Sequence, residues 1–305
     1  MTENENTQNT QSTQSTQNTA NTANTANTQQ QTTTVLVTGA TGRTGRRVAE
    51  AARAAGLTVR AASRSGAVRF DWADPATWDE ALRGADGAYL AFPSDIGAPD
   101  AAGAVGALAR RAVGLGVRRL VLLSARGEDQ ARPAEEALTA SGAEWTILRC
   151  AWFQQNFSEG VLLDQVRGPE LAFAAPDGLR EPFIDVRDIA EVAVAVLRDA
   201  SGRYARQALD LTGPDLLTWG EALTAVADAA GTAKRYVAVP VGDYGAALRG
   251  FGVPDEEVEF LVELFTVLLD GRNASLTGDV ARVLGRGPRS FGAYAVEAAA
   301  AGTWK

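Results

Sequence analysis

The sequence predicts an α/β protein, a doubly wound parallel sheet carrying a smaller, mostly helical lobe. Three observations predict it. Short apolar runs alternate with amphipathic segments from residue 34 onward. The first of these runs leads straight into a turn with glycines at 39, 42 and 45. The fifth, residues 119–123, is apolar on both faces, as in a sheet covered by helices on either side. With 305 residues, 46% of them hydrophobic, the chain can bury a sizeable core.

Taken in order, the β-branched run 34–38 is the first strand and 43–55 the first helix. Residues 59–62 and 68–70 are the second and third strands. Residues 75–82 are helical with Asp74 as cap. The fourth strand, 87–92, ends at Pro93. A helix over 101–115 leads to the fifth strand, and a helix over 133–141 to the sixth, 145–148. After residue 150 the regularity loosens. Helices are expected over 187–197 (capped by Asp185 or Asp188), 219–230, most of 253–269, and 290–301, with strands at 208–211 and 236–239. These read as the last elements of the sheet interleaved with the lobe, which lies mainly within 150–305. Residues 1–33 are different: after Met1 they are Thr, Asn, Gln, Ser and Ala with only Glu3 and Glu5 charged, and with nothing apolar to bury they are expected to be a disordered tail.

Composition removes several function classes. The net charge of −8 without a basic stripe argues against nucleic acid. No apolar run reaches the length of a membrane span, and the N-terminus lacks a secretory signal. A single cysteine, Cys150, allows no intrachain disulfide and suits a reducing, cytoplasmic setting. There is no histidine, so no His general base, triad or metal ligand, and no metal site is expected.

Strand, glycine-rich turn and helix is the arrangement that grips a dinucleotide pyrophosphate, making residues 34–305 a Rossmann-type NAD(P)-binding domain. Gly39 permits the tight turn, Gly42 lets backbone N–H groups approach the phosphates, and Gly45 lets the helix sit close to the sheet. Thr41, Arg43 and Thr44 complete the candidate cofactor turn. The second strand ends at Arg64, 19 residues past Gly45, where an arginine suits the 2′-phosphate of NADP and an acid would suit the ribose of NAD. NADP(H) is therefore favoured over NAD(H). Arg43 is a second arginine for adenine or the same phosphate. Asp71 is placed to accept from the adenine amino group or to hold a turn, and the Phe92–Pro93 backbone to run under the cofactor ribose.

The spacing G-x-x-G-x-x-G belongs to a longer pattern. VTGATGRTG (37–45), FDWADPATW (70–78), VRRLVLLSA (117–125), SGAEWTILRCAWFQQNFSE (141–159), PFIDVRDIA (182–190) and LTGPDLLTWGEAL (211–223) run in order across nearly all of residues 34–304. In these the chain resembles the NmrA-like, atypical short-chain dehydrogenase/reductase family. FDW with the later TW, and WFQQNFSE, look closest to its ergot-alkaloid reductase branch, the agroclavine and festuclavine dehydrogenase type. That branch reduces an iminium carbon with NADPH; other relatives act on quinones or sense NADP without turnover.

The resemblance implies roles. Ser124, at the end of strand five, would place its hydroxyl near the nicotinamide and is the candidate catalytic residue. Trp152, Phe153, Gln155 and Asn156 would border the substrate pocket. Asp185 and Asp188 would be structural caps. The chain also departs from the wider superfamily: none of its five tyrosines has Lys four residues on, so the usual Tyr-x3-Lys acid is missing. If Glu136 matches the acidic residue that follows that lysine, the pair positions fall at Glu128 and Arg132, and a glutamate beside an arginine should stay ionised. The usual Arg-Pro after strand six is Arg149-Cys150 here, with Cys150 read as a small buried hydrophobe. The expected function is an NADPH-dependent reductase that delivers hydride to a small, largely apolar iminium, quinone or activated alkene. The alternative is a non-catalytic NADP-sensing regulator. The expected partners are a small-molecule substrate and a second copy of the chain.

Overall fold

A computed structural model describes residues 33–93 and 95–305. The tail expected over residues 1–33 lies outside them, Thr33 apart. The chain opens with β1 (Thr34–Val37), α1 (Arg43–Ala54), β2 (Thr58–Ser63) and β3 (Val68–Arg69). A 3-10 turn over Pro75–Thr77 then leads into α2 (Trp78–Leu82), and the Asp74 side chain accepts from Ala76 N at its start. Next come β4 (Gly87–Leu90), α3 (Ala101–Gly114), β5 (Arg119–Ala125), α4 (Arg132–Thr139) and β6 (Glu144–Cys150). These follow the expected order, with boundaries shifted by at most two residues.

The second half is denser than its sequence suggests. It contains α5 (Leu163–Arg167), β7 (Glu170–Phe173), β8 (Arg180–Glu181), α6 (Val186–Arg198), β9 (Gln207–Leu211), β10 (Leu217–Thr218) and α7 (Trp219–Ala230). Then follow β11 (Arg235–Ala238), α8 (Val241–Gly250), α9 (Asp255–Leu268), α10 (Asp279–Leu284) and α11 (Phe291–Ala300). The α6 helix is capped by Asp185, which accepts from Arg187 N at 2.8 Å, and α7 by a Thr218–Glu221 capping box.

Seven strands form one sheet in the order β3-β2-β1-β4-β5-β6-β9, every pairing parallel. The chain winds outward from β1 to β3, then returns to β4 on the other side of β1. The carboxyl ends of β1 and β4 flank that reversal, where ligands of such sheets bind. Side chains along β1 alternate between two cores. Val35 and Val37 pack with Val48 and Ala52 of α1 and with α6, while Leu36 packs with Val105 and Leu108 of α3. A third core, built on Phe157, Phe173, Phe183, Trp219 and Phe291, belongs to the lobe. There β7 pairs with β11 in parallel and β8 with β10 antiparallel.

Candidate active site

The turn after β1 is held by its neighbours. The Thr38 hydroxyl donates to Tyr89 O at 3.2 Å and accepts from Ala91 N at 2.9 Å, so β1 and β4 are tied together at their carboxyl ends. Gly39 has φ +60°, the left-handed region that favours glycine. A Cβ on Gly45 would stand 2.2 Å from Gly39 O and 2.9 Å from Thr38 O, so α1 approaches the turn as closely as a missing side chain allows. The first helical bond runs from Arg46 N to Gly42 O at 3.2 Å, which leaves the N–H groups of residues 43–45 without helical partners. Thr41 and Gly42 are exposed, and the first turn of α1 carries no acid. This cradle of free donors without opposing negative charge fits a dinucleotide pyrophosphate.

Beside it lies a cavity of about 1060 Å³, floored by the ends of β5 and β6 and walled by the lobe. From the sheet side it receives Arg43, Phe92, Ser124, Trp152, Phe153 and Asn156. From the lobe it receives Phe173, Tyr244, Leu261 and Phe265. Trp152 is fixed edge-on against Phe173 and Trp219, with ring centres 5.9 and 5.3 Å away. Val161 and Phe251 also line the cavity and are 91% and 85% exposed, so its mouth is apolar.

The cavity and the turn are joined by charge. Glu159 accepts from Arg46 at 2.8 Å and Arg47 at 2.5 Å, and Arg43 reaches its carbonyl at 3.4 Å and its carboxylate at 4.0 Å. Burial opposes the charge on Glu159, but Arg47 and Arg46 outweigh it and hold the carboxyl below its usual range.

Comparison with known proteins places this architecture. A family model described as NAD(P)H-binding matches residues 39–200. The chain is 32% identical over 257 residues to the uncharacterised oxidoreductase YesF of Bacillus subtilis, covering 80% of this chain and 88% of that one. It is 30% identical to agroclavine dehydrogenase of Claviceps fusiformis over 235 residues, 73% of this chain and 80% of the relative. The chain belongs to the NAD(P)H-binding family that this model describes. By that kinship it is an NAD(P)H-dependent oxidoreductase. The fold itself matches the triphenylmethane reductase of Citrobacter sp. complexed with NADP(H), with a TM-score of 0.68 at 16% identity, covering 88% of this chain and 99% of that structure.

Within this reductase the expected site residues separate into groups. Gly39, Thr41, Gly42 and Gly45 form the cradle, while Thr44 is buried behind it. Arg64 stands exposed in the turn after β2. Arg43 faces the cavity: its guanidinium donates to Asn156 Oδ1 and lies 6.0 Å from the Phe153 ring. Asp71 is a turn residue, its carboxylate accepting from Ala73 N at 3.0 Å and its carbonyl from Trp78 Nε1 at 2.8 Å. Phe92 lines the cavity, and Pro93 is exposed beside it.

Two expectations are corrected. Gln155 is absent from the cavity wall; its amide donates to Asp185 at 3.0 Å and accepts from Val186 N at 2.9 Å, bracing the start of α6. Ser124 reaches the cavity edge, but its hydroxyl donates to Glu135 Oε1 at 2.6 Å, and Glu135 in turn binds Arg149 at 2.5 Å. The Ser124 proton is thus committed, leaving the oxygen only as an acceptor. Cys150 is buried, and burial pushes its thiol up, as a small core residue requires. Asp188 is an ion-pair hub for Arg286 and Arg289, with Asp185 alone capping α6.

Sequence reasoning missed the lobe's contribution from α8 and α9. It also missed Asp95, which lines the cavity from the loop after β4. Neither carries a motif, and only the packing of distant segments brings them to the site.

Proposed function

We propose that this oxidoreductase uses NADPH to reduce a small, largely apolar acceptor: an iminium, a quinone or an activated alkene. The observation that carries the reading is the aromatic-walled cavity of about 1060 Å³ opening directly beside the pyrophosphate cradle. A bound reduced nicotinamide supplies the hydride. The protein's share is positioning and exclusion of water. Trp152, Phe173 and Phe265 give the acceptor a rigid apolar wall, and Arg43 with Asn156 supplies a polar edge facing the cradle. Arg64, free of ion-pair partners among the described residues, is placed for the 2′-phosphate. The apolar mouth at Val161 and Phe251 suits an acceptor that arrives from water as a hydrophobe.

The test is NADPH oxidation in the presence of a panel of imines, quinones and enones. Turnover of at least one class is expected. Tight NADP binding without any oxidation would overturn the reading in favour of a cofactor sensor.

A further inference from the structure

Glu128 occupies the loop between β5 and α4 and is only 4% exposed. It lines the apolar cavity and also a second, polar cleft of about 500 Å³ on its other side. Ala125 and Arg126 are shared in the same way, so this loop is the wall between the two spaces. The polar cleft opens to solvent along Asp129 and Arg132, whose side chains are 60% and 63% exposed.

One oxygen of Glu128, Oε1, has no hydrogen-bond partner among the described residues. It fits closely over Gly97, where a Cβ would stand 2.0 Å from it. Asp95, which lines the same cavity, brings its Oδ1 within 3.2 Å of that same Cβ position, so the two carboxyl groups meet around Gly97. Two carboxyl groups this close disfavour a second negative charge, which favours the protonated form of one of them.

Among the described residues no cation pairs with Glu128. Arg132 turns to Asp129 at 3.1 Å, and Arg126 gives its guanidinium to Asn273 O at 2.8 Å and to Ser275. Arg149 binds Glu135, and Arg272 binds Asp270 and Asp129. The charged groups that act on Glu128 are Asp95 from the loop after β4 and Glu135 from α4, both acids. Burial first, then the neighbouring acid Asp95, then the charge of Glu135, push its carboxyl up to about 9. The expectation that a glutamate beside Arg132 stays ionised is thereby corrected, because that arginine pairs with a different acid.

We propose that Glu128 is the proton donor of this active site, a carboxylic acid set in the wall between two cavities, which protonates the acceptor on one side and is reprotonated from the polar cleft on the other. The proposal rests on the reductase reading above. With a quinone acceptor, hydride from the reduced nicotinamide leaves a hydroquinone anion. The Glu128 O–H bond breaks, an O–H bond forms on that anion, and the carboxylate regains a proton from water reaching the polar cleft. The sum is NADPH, a proton and quinone giving NADP⁺ and hydroquinone. An iminium acceptor becomes a neutral amine on hydride addition and needs no proton.

Two measurements on the full chain test this. Infrared difference spectra of the cofactor-free protein at neutral pH, wild type minus Glu128→Gln, should show the C=O stretch of a protonated carboxylic acid. In NADPH oxidation, Glu128→Gln should lower kcat about 100-fold with menadione, a quinone, and by a far smaller factor with an N-methyl dihydroisoquinolinium iminium. Wild-type kcat with menadione should fall above pH about 9, and Glu128→Gln should lose that limb. Asp95→Asn should move the limb to lower pH, because losing a neighbouring negative charge favours the ionised glutamate. Absence of the carboxylic-acid band, or an equal kcat loss with both acceptors, overturns the proton-donor role alone. A wild type that oxidises NADPH with neither acceptor overturns the reductase reading, and the donor role with it.

Discussion

Arg64 and Arg43 are the two arginines that the sequence offers to a dinucleotide, and their surroundings give them different work. Arg43 is half-buried, and burial lowers its basicity while Asn156 and Glu159 hold its orientation. Arg64 is exposed at the end of β2, where a dinucleotide bound as proposed would bring its adenosine ribose. Arg64→Ala should therefore weaken NADPH binding about tenfold, the worth of one charge-assisted contact at the surface, and leave NADH binding unchanged. Fluorescence titration with both cofactors reads this, and an equal loss for the two would refute the assignment. At this scale the sequence is legible where backbone geometry decides, as at Gly39 and Gly45. It is less legible for polar side chains. Gln154, Gln155 and Asn156 look alike in sequence, yet they sit on one 3-10 turn. That turn sends Gln154 to Phe183 O and Arg289 O, Gln155 to α6, and only Asn156 to the cavity.

Among elements, β1, the glycine turn and α1 act as one unit. α1 is locked against the turn by the absence of a side chain at position 45. Gly45→Ala should cost about 1–3 kcal/mol through overpacking and should weaken both cofactors alike, since the cradle they share is displaced. Thermal unfolding and cofactor titration measure the two effects; an unchanged melting temperature would count against close helix–turn packing. Long periodic elements were readable to within two residues because burial of one face dictates their pattern. The missed ones were short or poor in local signal. β8 and β10 have two residues each and exist only because they pair with one another. α8 contains three glycines, and Gly245 is needed there because a Cβ would stand 2.6 Å from Val262 Cγ2 of α9.

For the whole molecule, the buried acids couple stability to pH. Glu181 on β8 is fully buried with neither carboxyl oxygen hydrogen-bonded among the described residues. Burial pushes it up to about 8, with Arg126 opposing and Asp270 reinforcing. The unfolded chain releases this proton near the ordinary 4.5, whereas the folded chain keeps it to about 8. Stability contributed here is therefore complete below about 4.5, declines as pH rises through that window, and is flat above it. Glu181→Gln should leave stability unchanged near pH 4 and raise it by roughly 4 kcal/mol near pH 8, as melting curves across pH would show. Matching slopes in the two proteins would exclude the effect. No reading of the sequence gives these environments, because Asp95, Glu128, Glu181 and Asp270 come from four separate segments. The cluster on Glu159 has a consequence of the same long-range kind. Three guanidinium groups against one carboxylate leave surplus positive charge beside the cradle, in a chain whose net charge is −8. An approaching dinucleotide is repelled by the molecule as a whole and drawn by this island at close range. Salt damps fields beyond a Debye length of roughly 8 Å first, so it weakens the distant repulsion more than the near attraction.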